Sequence, residues 1–548
     1  MKTTQHHRRW VALSAHTTFH KRLLTKRTKR MTSVLDEIAT ERGPEIDPFL
    51  ISAALKDESD PPIVMGLDIG TSGVRAMLFD GRAEEIDSVI VHLAGDLYKP
   101  LSSGSDANAD ALVSYVTEAI DGLLARVAEK ISRINLVAVS CFWHSLVGAN
   151  EAGLAITPVL SWADRRASAE AEQLRQLFDE REFHQRTGCR FHSSYWPAKL
   201  LWLRAQHSSL YQEVARWMSF GEYLQLRFFA ETEASVSMAS GTGLMNQRSC
   251  EWDQDLLQKL EISADTLPII AQPGKTLATL TEPYATRWPA LSAAQWFPAV
   301  GDGAASNIGA GCTTADSALL MIGTSGAMRV VYEGDPPAVL PSELWSYRVD
   351  RRRVVVGGAL SDGGGLYRWL RDTLALEQDD AEIERALAAM EPTTHGLTIL
   401  PFWAGERSTG WSANTQGAIL GLTSTTRPLD ILRAAMESVA YRFALVSEAL
   451  DSLAPQASVL AAGNALLASP CWTQIIADVL GRPIKLSTAR EASCRGAGLL
   501  ALEASGKIEN LARLSASFDR VFVPDMRRHE QYRLALAMQQ ATYDRLFT

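Results

Sequence analysis

The stretches IVMGLDIGTSGVRAMLF (residues 63–79) and ALLMIGTSGAMRVVY (residues 318–332) decide the fold, because both contain the pentapeptide IGTSG between two apolar runs. Aliphatic and β-branched runs on either side of a glycine-bounded turn predict a β-hairpin. Two copies of one hairpin, about 250 residues apart, indicate two related domains that each open with the same unit.

Helical and strand-like segments alternate along the rest of the chain. Residues 136–140 have the pattern of a buried strand, 167–178 that of a helix, and 429–450 that of a long amphipathic helix. Such alternation predicts α/β domains built around mixed sheets. We expect the two domains to span residues 61–313 and 314–548.

Composition excludes several classes of protein. The 548 residues suit two large domains, and a net charge of −9 argues against an electrostatic nucleic-acid binder. No apolar run approaches the length of a membrane span, so no membrane partner is expected. The six cysteines form no C-x-x-C pair, and we expect reduced, mostly buried thiols in a cytoplasmic protein.

The first sixty residues differ from the remainder. Residues 1–30 contain nine Lys or Arg and no acidic residue. We expect residues 1–60 to be a disordered N-terminal extension, or Met31 to be the true start; an organellar presequence is the alternative.

A Gly-Thr-Ser-Gly turn can present several backbone N–H groups and two hydroxyls to one anion, which suits the oxygens of a phosphate. Asp68 precedes the first turn and could hold Mg²⁺ through water, while Arg75 could neutralise charge during phosphoryl transfer. The alternative is a plain hairpin with an ion-paired aspartate. The chain contains neither a Walker loop nor a dinucleotide fingerprint, since a strand rather than a helix follows the glycines.

A third element is VGDGAASNIGAG (residues 300–311), in which Asp302 stands among small residues at an expected helix N-terminus. An aspartate there is either a helix cap or a functional carboxylate. Because it lies just before the second hairpin, we expect Asp302 to be the general base that accepts the proton of the attacking hydroxyl.

These elements together resemble the FGGY carbohydrate kinases. The longest shared signature is GAILGL (residues 417–422) followed by DILRAAME (residues 430–437), and the resemblance covers residues 63–545. It implies two actin-like (ribonuclease H-like) α/β domains with an ATP cleft between them, and ATP with Mg²⁺ as cofactors. It also implies a sugar or sugar acid as the small-molecule partner and, since such kinases are often dimers or tetramers, a homo-oligomer.

The resemblance also implies roles for individual residues. Asp302 and Arg75 match the catalytic positions, and Asp68 matches the carboxylate near the metal. The positions that match nucleotide contacts are Gly70, Thr71, Ser72, Gly323, Thr324, Ser325, Gly364, Gly463 and Asn464. In the adenosine motif this chain keeps only Gly463, where the family usually has two or three consecutive glycines. The resemblance therefore does not predict which residues contact adenosine.

Acceptor choice is expected on first-domain loops that face Asp302. Trp143 and His144 match one sugar-contacting turn, and Asp164 and Arg165 match a second, although this pair could equally be structural. The sequences of these turns are similar to those of gluconokinase-like members of the family. This similarity predicts that the acceptor is gluconate, phosphorylated at its terminal hydroxyl. Xylulose, ribulose or another ketose or polyol is the rival acceptor.

The alternative to an enzyme is a non-catalytic regulator of the same fold that responds to nucleotide or sugar. The loss of glycines from the adenosine motif near Gly463 favours this alternative. Retention of Asp68, Asp302 and both turns opposes it, since a pure binding protein needs no general base.

Overall fold

The computed structural model describes residues 63–93, 98–101, 104–376, 379–412 and 414–547, which all fall in one compact unit that runs from Pro48 to Thr548. The extension predicted for residues 1–60 lies outside the described residues. Each of the two predicted domains contains a mixed β-sheet, and we call these halves the first and second lobes. No helix among the described residues is long and apolar enough to cross a membrane.

The first sheet is built around the first hairpin. Its strands are β1 (Ile63–Ile69), β2 (Gly73–Phe79), β3 (Glu85–His92), β4 (Ile134–Cys141), β5 (Gln295–Trp296) and β6 (Val300–Gly301). The order is β5-β4-β1-β2-β3, with β6 also pairing with β4. Strands β1 and β4 are parallel, whereas the β1–β2 and β2–β3 pairs are antiparallel. Every residue of β1 is buried, which explains its unbroken apolar pattern.

The second sheet repeats this arrangement. Its strands are β7 (Ser317–Ile322), β8 (Gly326–Glu333), β9 (Trp345–Arg348), β10 (Arg353–Leu360), β11 (Ser458–Ala462), β12 (Ile484–Ser487) and β13 (Phe518–Phe522), in the order β9-β10-β8-β7-β11-β12-β13. Strand β7 is antiparallel to β8 and parallel to β11, as β1 is to β2 and β4. The prediction of two related lobes that each open with the hairpin is therefore confirmed.

Helices and short strand pairs surround the two sheets. The first-lobe helices are Ala109–Arg126, Ser168–Leu177, Glu180–Thr187, Trp196–Gln206, Ser208–Glu213, Phe220–Phe229, Val236–Ser240, Gln254–Leu260, Tyr284–Arg287 and Asp302–Gly309. Those after β7 are Gly364–Thr373, Asp380–Ala388, Pro428–Leu450, Asn464–Ala468, Pro470–Leu480, Ala492–Ala504 and Met526–Phe547. The short strands are Tyr98–Leu101, Gly104–Ala107, Val147–Ala149, Val159–Leu160, Arg216–Met218, Glu233–Ala234, Met245–Asn246, Glu251–Trp252, Ile269–Ile270, Thr398–Leu400 and Ala418–Leu420.

Two helices pack against each other where the lobes meet. Asp302–Gly309 and Ala492–Ala504 cross so closely that a Cβ on Gly309 would lie 1.8 Å from the carbonyl oxygen of Ala492. The second helix also packs against β1 and β4 of the first sheet, although it comes late in the chain. All six cysteines are free and buried, as expected.

Candidate active site

The first hairpin places one carboxylate beside one guanidinium. Asp68 and Arg75 are paired across β1 and β2, with an Oδ2–Nη1 distance of 3.6 Å. Ser140 on the neighbouring β4 donates a hydrogen bond to Oδ1 of Asp68 at 2.9 Å, and Glu491 lies 2.6 Å from Nε of Arg75. Burial raises the pKa of Asp68 to about 6, although Arg75 and Ser140 both oppose that shift.

The second hairpin is joined to the loops that the sequence predicts for nucleotide binding. The amide of Gly364 donates to the carbonyl oxygen of Gly323 at 2.9 Å, and that of Gly365 donates to Thr324 at 2.9 Å. Gly463 has a φ of 94° and approaches the backbone of Ile322 so closely that its Cβ would lie 2.4 Å from that carbonyl oxygen. The second turn, the 364 loop and the start of the helix at Asn464 therefore form one contiguous backbone surface.

Asp302 begins the helix Asp302–Gly309, and the two glycines beside it are required by close packing. A Cβ on Gly301 would lie 1.8 Å from Cε2 of Trp143, and one on Gly303 would lie 2.2 Å from Nη1 of Arg329. The Asp302 carboxylate accepts the amide of Gly303 at 2.8 Å. The Gly-Asp-Gly sequence thus lets an indole and a guanidinium approach on either side of one carboxylate.

The protonation of Asp302 is set by opposing effects. Loss of solvent in the enclosed site raises its pKa, while the positive charge of Arg329 and the amides of Gly303 and Trp143 oppose that rise. Arg329 is itself buried, and burial lowers its pKa to about 10, which keeps it charged at neutral pH. A carboxylate with a raised pKa is suited to accept a proton.

Asp302 lines a cavity of about 210 Å³ at the junction of the lobes. We call it the acceptor cavity. The second turn contributes Gly323, Ser325 and Gly326 to its wall, so bound phosphate would meet the acceptor there. Its other lining residues are Trp143, His144, Trp162, Ser194, Tyr195, Gly303, Ser306, Met321, Ala327, Arg329, Trp345, Tyr347, Ala359, Arg407, Trp411 and Ser493.

The loop after β4 brings Trp143 and His144 into the acceptor cavity. His144 has a φ of 68°, and its Nδ1 lies 2.5 Å from the carbonyl oxygen of Gly241, which it can contact only as a donor. Burial lowers the pKa of His144 to about 3, so the ring is neutral and its Nε2 is an acceptor for a hydroxyl proton. The buried Lys199 donates to the carbonyl oxygen of His144 at 2.6 Å and fixes this loop.

The second predicted sugar-contacting turn lies differently. Asp164 is buried and is not among the described residues that line the acceptor cavity, and its carboxylate is bound by Arg166. Arg166 in turn reaches Asp106 at 2.7 Å, so this is a structural ion-pair network. Arg165 packs against Gly405 beside the cavity and is absent from its described lining. The structure places neither Asp164 nor Arg165 in the described cavity lining, and a role of this turn in acceptor binding stays a prediction.

The cavity wall also differs from the expectation that acceptor choice resides in the first lobe. Trp345 and Tyr347 come from β9, the edge strand of the second sheet, and their rings stack at a centroid distance of 4.3 Å. Tyr347 lies edge-on to Trp143 at 5.0 Å, and its hydroxyl is 2.6 Å from that of Tyr195. The sequence alone did not indicate Arg329, Tyr347 or Arg407 as lining residues, and only Arg329, three residues beyond the second turn, lies next to a motif that the sequence singles out.

The surroundings of Asp68 fit a metal ion that arrives with a nucleotide. Within the described ranges no group of three or more His, Cys, Asp or Glu side chains forms a preassembled metal site. Mg²⁺ commonly needs only one or two carboxylates together with phosphate oxygens and water. One carboxylate facing the first turn meets that requirement.

Comparisons with known proteins agree with this geometry. The model of the N-terminal domain of the FGGY family of carbohydrate kinases matches residues 63–309, and that of the C-terminal domain matches residues 318–505. Gluconokinase of Bacillus subtilis (strain 168) is 26% identical over 466 residues, which cover 82% of this chain and 89% of that protein. Xylulose kinases and glycerol kinases are also among the relatives.

Solved structures give the same result. The ligand-bound xylulose kinase of Lactobacillus acidophilus has a TM-score of 0.80 at 25% identity and covers 88% of this chain and 98% of its own. The gluconate kinase of Lactobacillus acidophilus has a TM-score of 0.78 at 25% identity and covers 89% and 98%. The two lobes are thus the actin-like pair, and the chain is a phosphotransferase with sugar kinase activity that belongs to the FGGY family of carbohydrate kinases.

Proposed function

We propose that this kinase phosphorylates gluconate at its terminal hydroxyl, with ATP·Mg²⁺ as the donor and Asp302 as the general base. The observation that carries the proposal is a pair of arginines, Arg329 and Arg407, in the wall of the acceptor cavity. Among the described residues neither guanidinium has a carboxylate within ion-pair distance; Arg329 donates to Sδ of Met321 and Arg407 to the carbonyl oxygen of Leu360.

The charges around the acceptor cavity favour an acidic sugar. Two arginines face one carboxylate, Asp302, while the histidine in the wall is neutral. A buried site with excess positive charge is stabilised by an anionic ligand, and a planar guanidinium binds carboxylate through two hydrogen bonds. A volume of about 210 Å³ is below that of sites for drug-sized ligands and suits a single small sugar.

In the proposed reaction the terminal hydroxyl of gluconate gives its proton to Asp302 and its oxygen attacks the γ-phosphorus of ATP. The bond between that phosphorus and the bridging oxygen breaks, and ADP leaves as 6-phosphogluconate forms. The two turns would hold the phosphates, and Asp68 would hold the accompanying Mg²⁺ through water. Arg75 would offset the charge that develops on the transferred group.

The test is release of ADP by purified protein with ATP and Mg²⁺ against gluconate, xylulose, ribulose, ribitol, xylitol, glycerol, glucose and a blank without sugar. We expect gluconate to give the highest kcat/KM, and Arg407→Ala to raise its KM by about 10- to 100-fold, since hydrogen bonds to charged groups are the strong ones. A neutral ketose or polyol as the best substrate, with an unchanged KM in Arg407→Ala, would replace gluconate by that acceptor.

A further inference from the structure

The loop that carries Arg407 is held from behind by a buried carboxylate. Residues 402–411 follow the short strand Thr398–Leu400 and bring both Arg407 and Trp411 into the wall of the acceptor cavity. The side chain of Glu406, directly before Arg407, is fully buried and is not part of the described cavity lining. A buried carboxylate must be paired and hydrogen-bonded to be tolerated, so its partners determine where this loop lies.

Among the described residues, the carboxylate of Glu406 is bound by Arg442, by Tyr543 and by the backbone amides of Gly410 and Ser412. Arg442, on the long helix Pro428–Leu450, donates from Nη2 to Oε1 at 2.9 Å, and the amide of Gly410 donates to the same oxygen at 3.1 Å. The hydroxyl of Tyr543 donates to Oε2 at 2.8 Å. From the first lobe, Nε2 of His192 donates to the backbone carbonyl oxygen of Glu406 at 3.0 Å.

Tyr543 belongs to the C-terminal helix Met526–Phe547, which lies beyond the residues that the family model matches. Its ring packs against Phe402 at a centroid distance of 5.8 Å and against Phe547 at 5.6 Å, and the guanidinium of Arg442 lies over it at 5.4 Å. The last turn of the chain is therefore fixed to the start of the Arg407 loop by packing and to its middle by a hydrogen bond.

We propose that Tyr543 is a positioning residue for acceptor recognition, which acts by fixing Glu406 and thereby the guanidinium of Arg407. The inference rests on the proposed function, in which Arg407 binds the acceptor. Loss of the Tyr543 hydroxyl removes a hydrogen-bond donor from a buried carboxylate, and Glu406 shifts to recover a partner. Because Arg407 follows it directly, a shift of a few tenths of an ångström reaches the cavity.

The chain offers a matched control on the same helix. The hydroxyl of Tyr532 accepts from Arg433 at 2.7 Å and donates to Glu437 at 3.2 Å, so it belongs to a second buried network that does not touch the acceptor cavity. We expect Tyr543→Phe to raise the acceptor KM by about 3- to 10-fold, with the KM for ATP unchanged. Tyr532→Phe should lower the melting temperature similarly and leave the acceptor KM unchanged.

A double-mutant cycle separates positioning from general destabilisation. In the full-length enzyme, with the best acceptor of the panel, Tyr543→Phe should have no further effect on KM once Arg407 is replaced by alanine, whereas Tyr532→Phe should be equally silent in both backgrounds. If Tyr543→Phe changes KM by the same factor with and without Arg407, or if Tyr532→Phe matches it, the positioning role is wrong. If Arg407→Ala alone leaves KM unchanged, the proposed role of Arg407 fails and this inference fails with it.

Discussion

The two glycine hairpins share the letters IGTSG but close in different registers. In the first, Ile69 is paired with Val74, so four residues form the loop and the amide of Gly70 donates to Gly73 at 3.0 Å. In the second, Ile322 is paired with Gly326, so only three residues form the loop and Gly323 donates to Ser325 at 2.9 Å. A change of one residue in a hairpin turns each following side chain to the opposite face of the sheet.

As a result, residues at aligned positions of the two hairpins have different surroundings. Arg75 lies opposite Asp68, where the first hairpin carries an ion pair beside the phosphate turn. The residue in the same alignment position of the second hairpin, Met328, is buried in the core of the second lobe. Arg329, one position later, lines the acceptor cavity together with Asp302. The repeat therefore provides two turns of the same sequence and places an arginine at a different position in each hairpin, for which we propose different roles.

The largest effect is expected at Asp302, which lies between the charges of both hairpins. Asp302→Asn removes the proton acceptor but keeps the size of the side chain, so kcat should fall by roughly 10²- to 10⁴-fold. Binding of the acceptor, measured by calorimetry, should change only a few-fold. Simultaneous loss of binding and of folding would instead make Asp302 a structural residue.

A smaller effect tests the difference between the hairpins directly. Arg75→Ala should lower kcat by roughly 100-fold with little change in melting temperature, because it removes a cation from the transferred phosphate. Met328→Ala, at the aligned position, should do the reverse: stability falls by about 2–5 kcal/mol through loss of core packing, while kcat is nearly kept. Denaturant titration and steady-state kinetics on both variants check this. Equal kinetic losses would mean that the hairpins are functionally alike.

The features that sequence predicted well depend on local pattern. Burial of β1 and the amphipathic period of Pro428–Leu450 follow from neighbours in sequence, so these elements lie within a residue or two of their predicted limits. The proximity of Asp68 to Arg75 likewise needs only a hairpin. Prediction failed where geometry depends on distant contacts.

Three residues illustrate that failure. Nothing near Arg407 indicates that a loop before the long helix faces the first lobe, and Tyr347 reaches the cavity only because β9 is an edge strand. Arg329 was not predicted because the hydrogen-bond register of the second hairpin, which the sequence does not show, differs by one residue from that of the first.

The smallest expected effect is on pH dependence, and it measures what the extra cation of the second hairpin does. Burial raises the pKa of Asp302, and the positive charge of Arg329 restrains that rise. Asp302 accepts a proton only when ionised, so kcat/KM should increase with pH through this pKa. Arg329→Met removes the restraint and should move the midpoint of the acidic limb to higher pH. Arg329→Lys keeps the charge and should leave the midpoint near its original value, even if its acceptor KM changes. An unmoved midpoint in Arg329→Met would show that Arg329 does not affect the protonation of Asp302. The two hairpins would then differ only in that Arg329 of the second one binds the acceptor.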